Sequence, residues 1–377
     1  MKFGIPTRTK VPRHIKQKLT LVQFRKISIQ SAVTLALFID LFHLRYEGSK
    51  MGRVYKISGR KRNALAKLAT RRNKNFEREI SMPFDVWDKY VCKPLVKIMN
   101  LTEKRKSQLT PRTRVYRFCR RLRGQDTPSA ICIFGQSEAT LSRDCHKLAE
   151  LFTVHFSDKW IRMPDINSRE YECLRGQGSH STYPNVPYSA DITEIRIDRP
   201  ANDHQSQFWC SNKRKHSMSY MVFVDGLGIC RKIIGGVCGS AHDATLFRAS
   251  KMIRAMSTYL RRADRILYDG IIMPEEYGLW FHIPYCRKRR LGTLAQQAET
   301  KRQRTARSVV ENYFSRLKVV YPIMDRFKFK RVNLDAWMRT ACCFINIKLI
   351  FCGELRKFEC SNANCWLCLN KTTLDTL

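Results

Sequence analysis

Apolar positions in the second half of the chain switch between a period of two and a helical period, and this switching sets the expected fold. In RSVVENYFSRLK (307–318), Val310, Phe314, Leu317 and the following Tyr321 recur at spacings of four, three and four, an apolar stripe of helical period. Arg307, Glu311 and Lys318 fall together on another side of that helix. Upstream, Thr193, Ile195 and Ile197 alternate with Ile192, Glu194 and Arg196, which predicts a strand. SMSYMVFVDGLGICRKIIGGVCG (217–239) reads as two strands joined at Asp225-Gly226-Leu227-Gly228. HDATLFRASKMIRAMSTYL (242–260) predicts a helix with Leu246, Ile253, Met256 and Leu260 inward. RILYDG (265–270) is a short strand, and residues 305–321 and 334–351 are helices. Hairpin, helix, strand, helix implies an α/β fold, a mixed sheet with helices packed on it.

The first half is helical and basic. PRTRVYRFCRRLR (111–123) predicts one helix and TPSAICIFG (127–135) a second, opened by Thr127 and Pro128. After a turn at Gly135 and Gln136, SEATLSRDCHKLAELF (137–152) begins a third, with Ser137 as its cap. Residues 108–156 thereby match a helix-turn-helix, whose third helix offers Thr140, Ser142, Arg143 and Lys147 to base edges and phosphates. An ordinary three-helix packing unit fits the same pattern. Residues 1–107 read as a basic arm with short helices, 157–182 as a linker, 183–351 as the sheet domain and 352–377 as a cysteine-containing tail.

Charge narrows the partner. The net charge is +38 and the isoelectric point about 10.1. Residues 1–125 hold 32 of the 70 Lys and Arg against 7 of the 32 Asp and Glu, or +25, which leaves +13 for the remainder. A field of this size draws polyanions, and double-stranded DNA is the expected partner. GRKRNALAKLATRRNK (59–74) is a nuclear-import signal or a phosphate-binding arm on the functional reading, and a solvated helix face on the bland one. SAVTLALFIDLFHL (31–44) is too short for a membrane span and is broken by Asp40, so it reads as a buried helix and no membrane partner is expected. The 15 cysteines, an odd and scattered set, fit reduced thiols inside the cell, and a nuclear location is expected. Cys352, Cys360, Cys365 and Cys368 include only one metal-like pair and read as reduced tail thiols.

Three acids stand out. Asp191 and Asp269 sit at expected strand ends and Glu311 on the helix that follows. Carboxylates on separate elements are what metal-dependent phosphodiester chemistry requires. Two divalent ions roughly 3.5–4 Å apart activate the entering oxygen and stabilise the leaving one. Magnesium or manganese would suit such oxygen ligands. Asp243, in GSAHDA (239–244), is a fourth candidate ligand, whereas His242 reads as a loop histidine. A surface ion pair is the simpler account of Glu311 taken alone.

The ordered motifs resemble a known group. YPNVPYSADITEIRIDRP (183–200), WCSNKRKHSMSYMVFVDGLGICRKIIGGVCGSAHDATLF (209–247), ILYDGIIM (266–273), HIPYC (282–286) and RSVVENYFSRLK resemble, in order, the segments of PIF/Harbinger transposases. That group lies in the DDE superfamily, with the RNase H-like fold. The resemblance implies Asp191, Asp269 and Glu311 as catalytic and metal-binding residues, with Asp243 assisting and two Mg²⁺ or Mn²⁺ ions. It implies cleavage and joining of DNA at transposon ends, a homo-oligomer, and a separate Myb-like DNA-binding protein as partner. Lys213 and Arg214, in the K-R run before His216, and Arg289 and Arg290, in CRKRR (286–290), are expected at the DNA backbone, as is KRQR (301–304), although a solvated charged loop fits the last two runs equally. The chain departs from the group at Ile192, where a glycine is usual. It departs again around Asp269, where Tyr268 and Ile272 replace the glycine and tyrosine of G-D-x-G-Y. A catalytically inactive, transposase-derived DNA-binding regulatory protein is the alternative.

Overall fold

The computed structural model describes residues 74–103, 109–201, 205–241, 246, 252–269, 280–284 and 292–352. The expectations for residues 31–44 and 59–73, Asp243, Arg289, Arg290 and the cysteines of the tail beyond Cys352 lie outside these, and Ile253 is described in its backbone alone.

The helical half begins with short helices at Lys74–Ile80, Phe84–Trp87 and Lys93–Thr102. Helix α1, Pro111–Leu122, starts where the Thr110 hydroxyl accepts from the Thr113 amide at 3.2 Å. Helix α2, Thr127–Phe134, is capped one residue earlier than the sequence suggested, by Asp126 on the Ser129 amide (3.1 Å). It stops at Gly135 in the left-handed conformation (φ 62°), and Ser137 caps α3 as expected. Helix α3 runs on to Trp160, well past a recognition-helix length. Its second half buries Leu148, Ala149 and Phe152 against helix α7 (Leu334–Phe351). Residues 157–182 hold the end of α3 and then α4, Arg169–Leu174, with Tyr171, Leu174 and His180 fully buried.

The sheet is mixed, as expected. Among the described residues its seven strands are β1 (Tyr188–Ile197), β2 (Trp209–Cys210), β3 (Lys215–Asp225), β4 (Cys230–Cys238), β5 (Ile266–Leu267), β6 (Phe281–His282) and β7 (Arg326–Phe327). The order β2-β3-β1-β5-β6 has β1 antiparallel to β3 and parallel to β5, while β4 pairs with β3 and β7 with β1. The β3–β4 hairpin closes at the expected residues. Asp225 Oδ1 accepts from the amides of Leu227 (3.0 Å) and Ile229 (2.9 Å), and its Oδ2 from Arg231 Nε (2.8 Å).

Strand alternation splits the core into two layers. Ile195 and Ile197 of β1, with Met218, Tyr220, Val222 and Val224 of β3, face helix α6 (Leu294–Val320) and α7. Tyr188 and Ala190, with Met221 and Phe223, face α4 and α5 (Met252–Tyr259), whose side contributes Leu246, Met256 and Leu260. These three are buried as the sequence implied. In α6, Val310, Leu317 and Tyr321 are buried and Phe314 half-buried, and the fully buried Tyr313 joins them. The helix begins at Leu294, eleven residues before the apolar stripe predicted, under a capping box made by Thr293 and Gln296. Among the described residues no helix is long and apolar enough to cross a membrane.

Candidate functional site

Parallel pairing of β1 with β5 brings the two aspartates level. Tyr188 pairs with Ile266 and Ser189 with Leu267, so the same register carried two residues on sets Asp191 beside Asp269. Asp269 follows the carboxyl end of its strand, as expected. Asp191 does not: it lies in the first half of β1, opposite Val222 of β3. Its odd-numbered position points it to the same face as Ile195, the face that α6 covers.

Helix α6 presents Glu299, Gln303, Arg307 and Glu311 at steps of four, one side of the helix. Gln303 is fully buried and donates its side-chain amide to the carbonyl oxygens of Tyr268 (3.1 Å) and His282 (2.8 Å). Glu299 accepts from Tyr183 Oη (2.8 Å) and lies 3.1 Å from His282 Nε2. Burial would push its carboxyl up, but Tyr183, His282 and Arg302 hold it below its usual range.

Arg307 occupies the middle of the three candidate carboxylates. Its Nη1 donates to Asp191 Oδ2 at 2.9 Å, and its Nη2 lies 2.6 Å from Glu311 Oε1 and 3.6 Å from Asp269 Oδ2. The guanidinium is 8% exposed, against 25% for Asp191, 55% for Glu311 and 62% for Asp269. Asp191 forms the floor of this group and the other two acids its open side. Burial pushes the Asp191 carboxyl above its usual range, opposed by Arg307 and by the Ile192 amide, which donates to Oδ1 at 2.7 Å. Nothing in the sequence named Arg307 as the hub. Its spacing of four from Glu311 was the only signal, and it forecast an ordinary helical ion pair.

The donor set suits magnesium or manganese, being carboxylate oxygens from three separate elements. The spacing, however, is that of a guanidinium. Among the described residues no group of three or more His, Cys, Asp or Glu stands close enough to hold an ion. Asp243 lies outside those residues.

The remaining predicted residues fall elsewhere. Lys213 pairs with Glu194 at 2.9 Å, and Arg214 closes a turn with φ 49°. Thr140, Arg143 and Lys147 are exposed on α3, with Lys147 paired to Glu103 (2.9 Å). Ser142 is half-buried, 3.0 Å from His146 Nε2. Much of the neighbouring basic run is not surface charge at all. Arg114, Arg117 and Arg121 are buried; Arg114 holds Asp144 and Glu103, and Arg117 holds Asp144 and Gln136. Arg123 instead reaches the last carbonyls of α6, Val319 (2.8 Å) and Val320 (2.7 Å), and so ties the helical half to the helix bearing Glu311.

Residues 190–346 match the family described as DDE superfamily endonuclease. The matched span runs from β1 into α7 and contains Asp191, Asp269 and Glu311. Its mixed sheet with flanking helices is consistent with the RNase H-like fold of that superfamily. The similarity is to a nuclease or transposase domain in general. Neither a curated protein nor a solved structure matches the chain.

Proposed function

We propose that the sheet domain cleaves DNA phosphodiesters in a divalent-metal-dependent reaction, as a PIF/Harbinger-type transposase or a nuclease derived from one. The observation that carries this reading is the convergence of Asp191, Asp269 and Glu311, remote in sequence, on the Arg307 guanidinium. These three would hold Mg²⁺ or Mn²⁺, with Asp243 as a fourth ligand. Bound there, such ions supply Lewis-acid activation of the attacking oxygen and charge stabilisation of the leaving one.

The chain's own groups set the geometry. Gln303 fixes the strand end that carries Asp269 against the helix that carries Glu311. The more open exposure of Asp269 and Glu311 makes theirs the side from which a DNA strand would enter. The cations of α3 and of residues 213–214 would position the duplex through its phosphates. A nuclear location, self-association and a Myb-like partner complete the reading by resemblance.

The test is nicking of supercoiled plasmid in Mn²⁺ by the wild type beside Glu311→Ala and Asp191→Asn. Nicking by the wild type alone supports the reading, and equal nicking by all three removes it. A second reading, a silent DNA-binding regulator, is favoured by the guanidinium already neutralising the carboxylates. It predicts that all three proteins retard DNA and none nicks it.

A further inference from the structure

A buried arginine in contact with three candidate ligands demands its own account. Three carboxylates brought together without a counter-ion repel one another, and here Arg307 supplies the missing positive charge. Its reach is specific: Nη1 serves the β1 acid, while Nη2 serves the β5 acid and the helix acid together. The oxygens it contacts are the ones a divalent ion would need. Carboxylate oxygens lie about 2.0–2.1 Å from Mg²⁺, closer than they stand to any guanidinium nitrogen. An ion on these oxygens would stand beside the guanidinium, so the two positive charges oppose each other there. Arg307 Nε has no hydrogen-bond partner among the described residues, so the carboxylates are what anchors its head group.

We propose that Arg307 is a positioning residue that holds Asp191, Asp269 and Glu311 assembled in the metal-free protein and competes with divalent metal for them. The inference rests on the metal-site reading above. The site is then preassembled at the expense of affinity, because metal entering there meets the guanidinium charge. Free protein would hold metal weakly.

The test is Mn²⁺ binding to the full chain, followed by the electron paramagnetic resonance of free Mn²⁺, together with thermal unfolding in EDTA and in Mn²⁺. Arg307→Gln is expected to bind Mn²⁺ roughly tenfold more tightly, the scale of removing one positive charge beside a divalent ion at a hydrated site. In EDTA it should melt below the wild type, and Mn²⁺ should raise its melting temperature by more. Arg307→Lys keeps the charge but cannot span three acids; it should show the same melting pattern to a lesser degree, and carries the test if the glutamine variant does not fold. Asp191→Asn separates the two claims. If Asp191→Asn abolishes Mn²⁺ binding while Arg307→Gln leaves it unchanged, the competitive role of Arg307 is overturned and the metal site stands. If Asp191→Asn leaves Mn²⁺ binding unchanged, the metal-site reading itself fails, and the inference with it.

Discussion

The side-chain amide of Gln303 donates to the carbonyl oxygen of Tyr268, 35 residues away and immediately before Asp269. A buried glutamine thus stands in for a strand partner at the open end of β5, and a second bond to His282 holds β6 in the same grip. Replacing Gln303 by Leu leaves a buried carbonyl without a donor, at a cost of about 1–3 kcal/mol. Urea unfolding should show that loss. Plasmid nicking should fall by more than the unfolded fraction accounts for, because Asp269 loses its fixed distance from Glu311. Wild-type nicking by the folded variant would refute this positioning role.

Two histidines should make the protein acid-sensitive. Trp337 Nε1 donates to His146 Nδ1 at 2.9 Å, a bond only the neutral ring can accept. Burial, reinforced by Arg121 and Lys330, lowers the His146 pKa from 6.5 to about 4. Burial does the same to His180, whose Nε2 lies 2.7 Å from the Ser189 hydroxyl. The sign follows from linkage. Between pH 6.5 and about 4 the unfolded chain binds protons that the folded chain refuses, so stability falls as pH drops through that window. Denaturant midpoints measured from pH 7 to 4.5 should decline. His146→Gln and His180→Gln should each flatten the decline, and an unchanged slope in both would argue against buried neutral rings.

Gly226 is required by close approach. A Cβ there would stand 1.9 Å from the Gln177 carbonyl oxygen, and Gly226 O accepts from the Ser179 amide at 2.9 Å. The hairpin turn and the 177–180 turn are thus in backbone contact. Gly226→Ala should cost about 1–3 kcal/mol or more, as overpacking in a closed site does. Equilibrium unfolding checks this, and a neutral result would mean that the two turns separate easily. Gly228, whose added Cβ would meet nothing closer than 3.8 Å, still has φ +87° and should tolerate alanine only through backbone strain.

Period and turn chemistry made much of this protein legible in one dimension. The alternation in β1 and the Asp225–Gly228 turn are local signals, as are the cap at Ser137 and the four-three-four stripe of α6. Local sterics and the burial of one face are enough to select those elements. The order of Asp191, Asp269 and Glu311 could likewise be read along the chain. What the chain could not disclose is which side chains meet. Arg114, Arg117 and Arg121 count toward the basic excess of residues 1–125, yet all three are buried on Asp144, Glu103 and other internal oxygens. Asn346, an unremarked polar residue in an apolar helix, pairs with both the N–H (3.0 Å) and C=O (2.8 Å) of Cys230. Arg307 looked like half of an i,i+4 surface pair and stands between three carboxylates. The reason is common to all three: helical or strand period assigns a residue to a face, but only the packing of sheet against helix decides whether that face meets water or an acid.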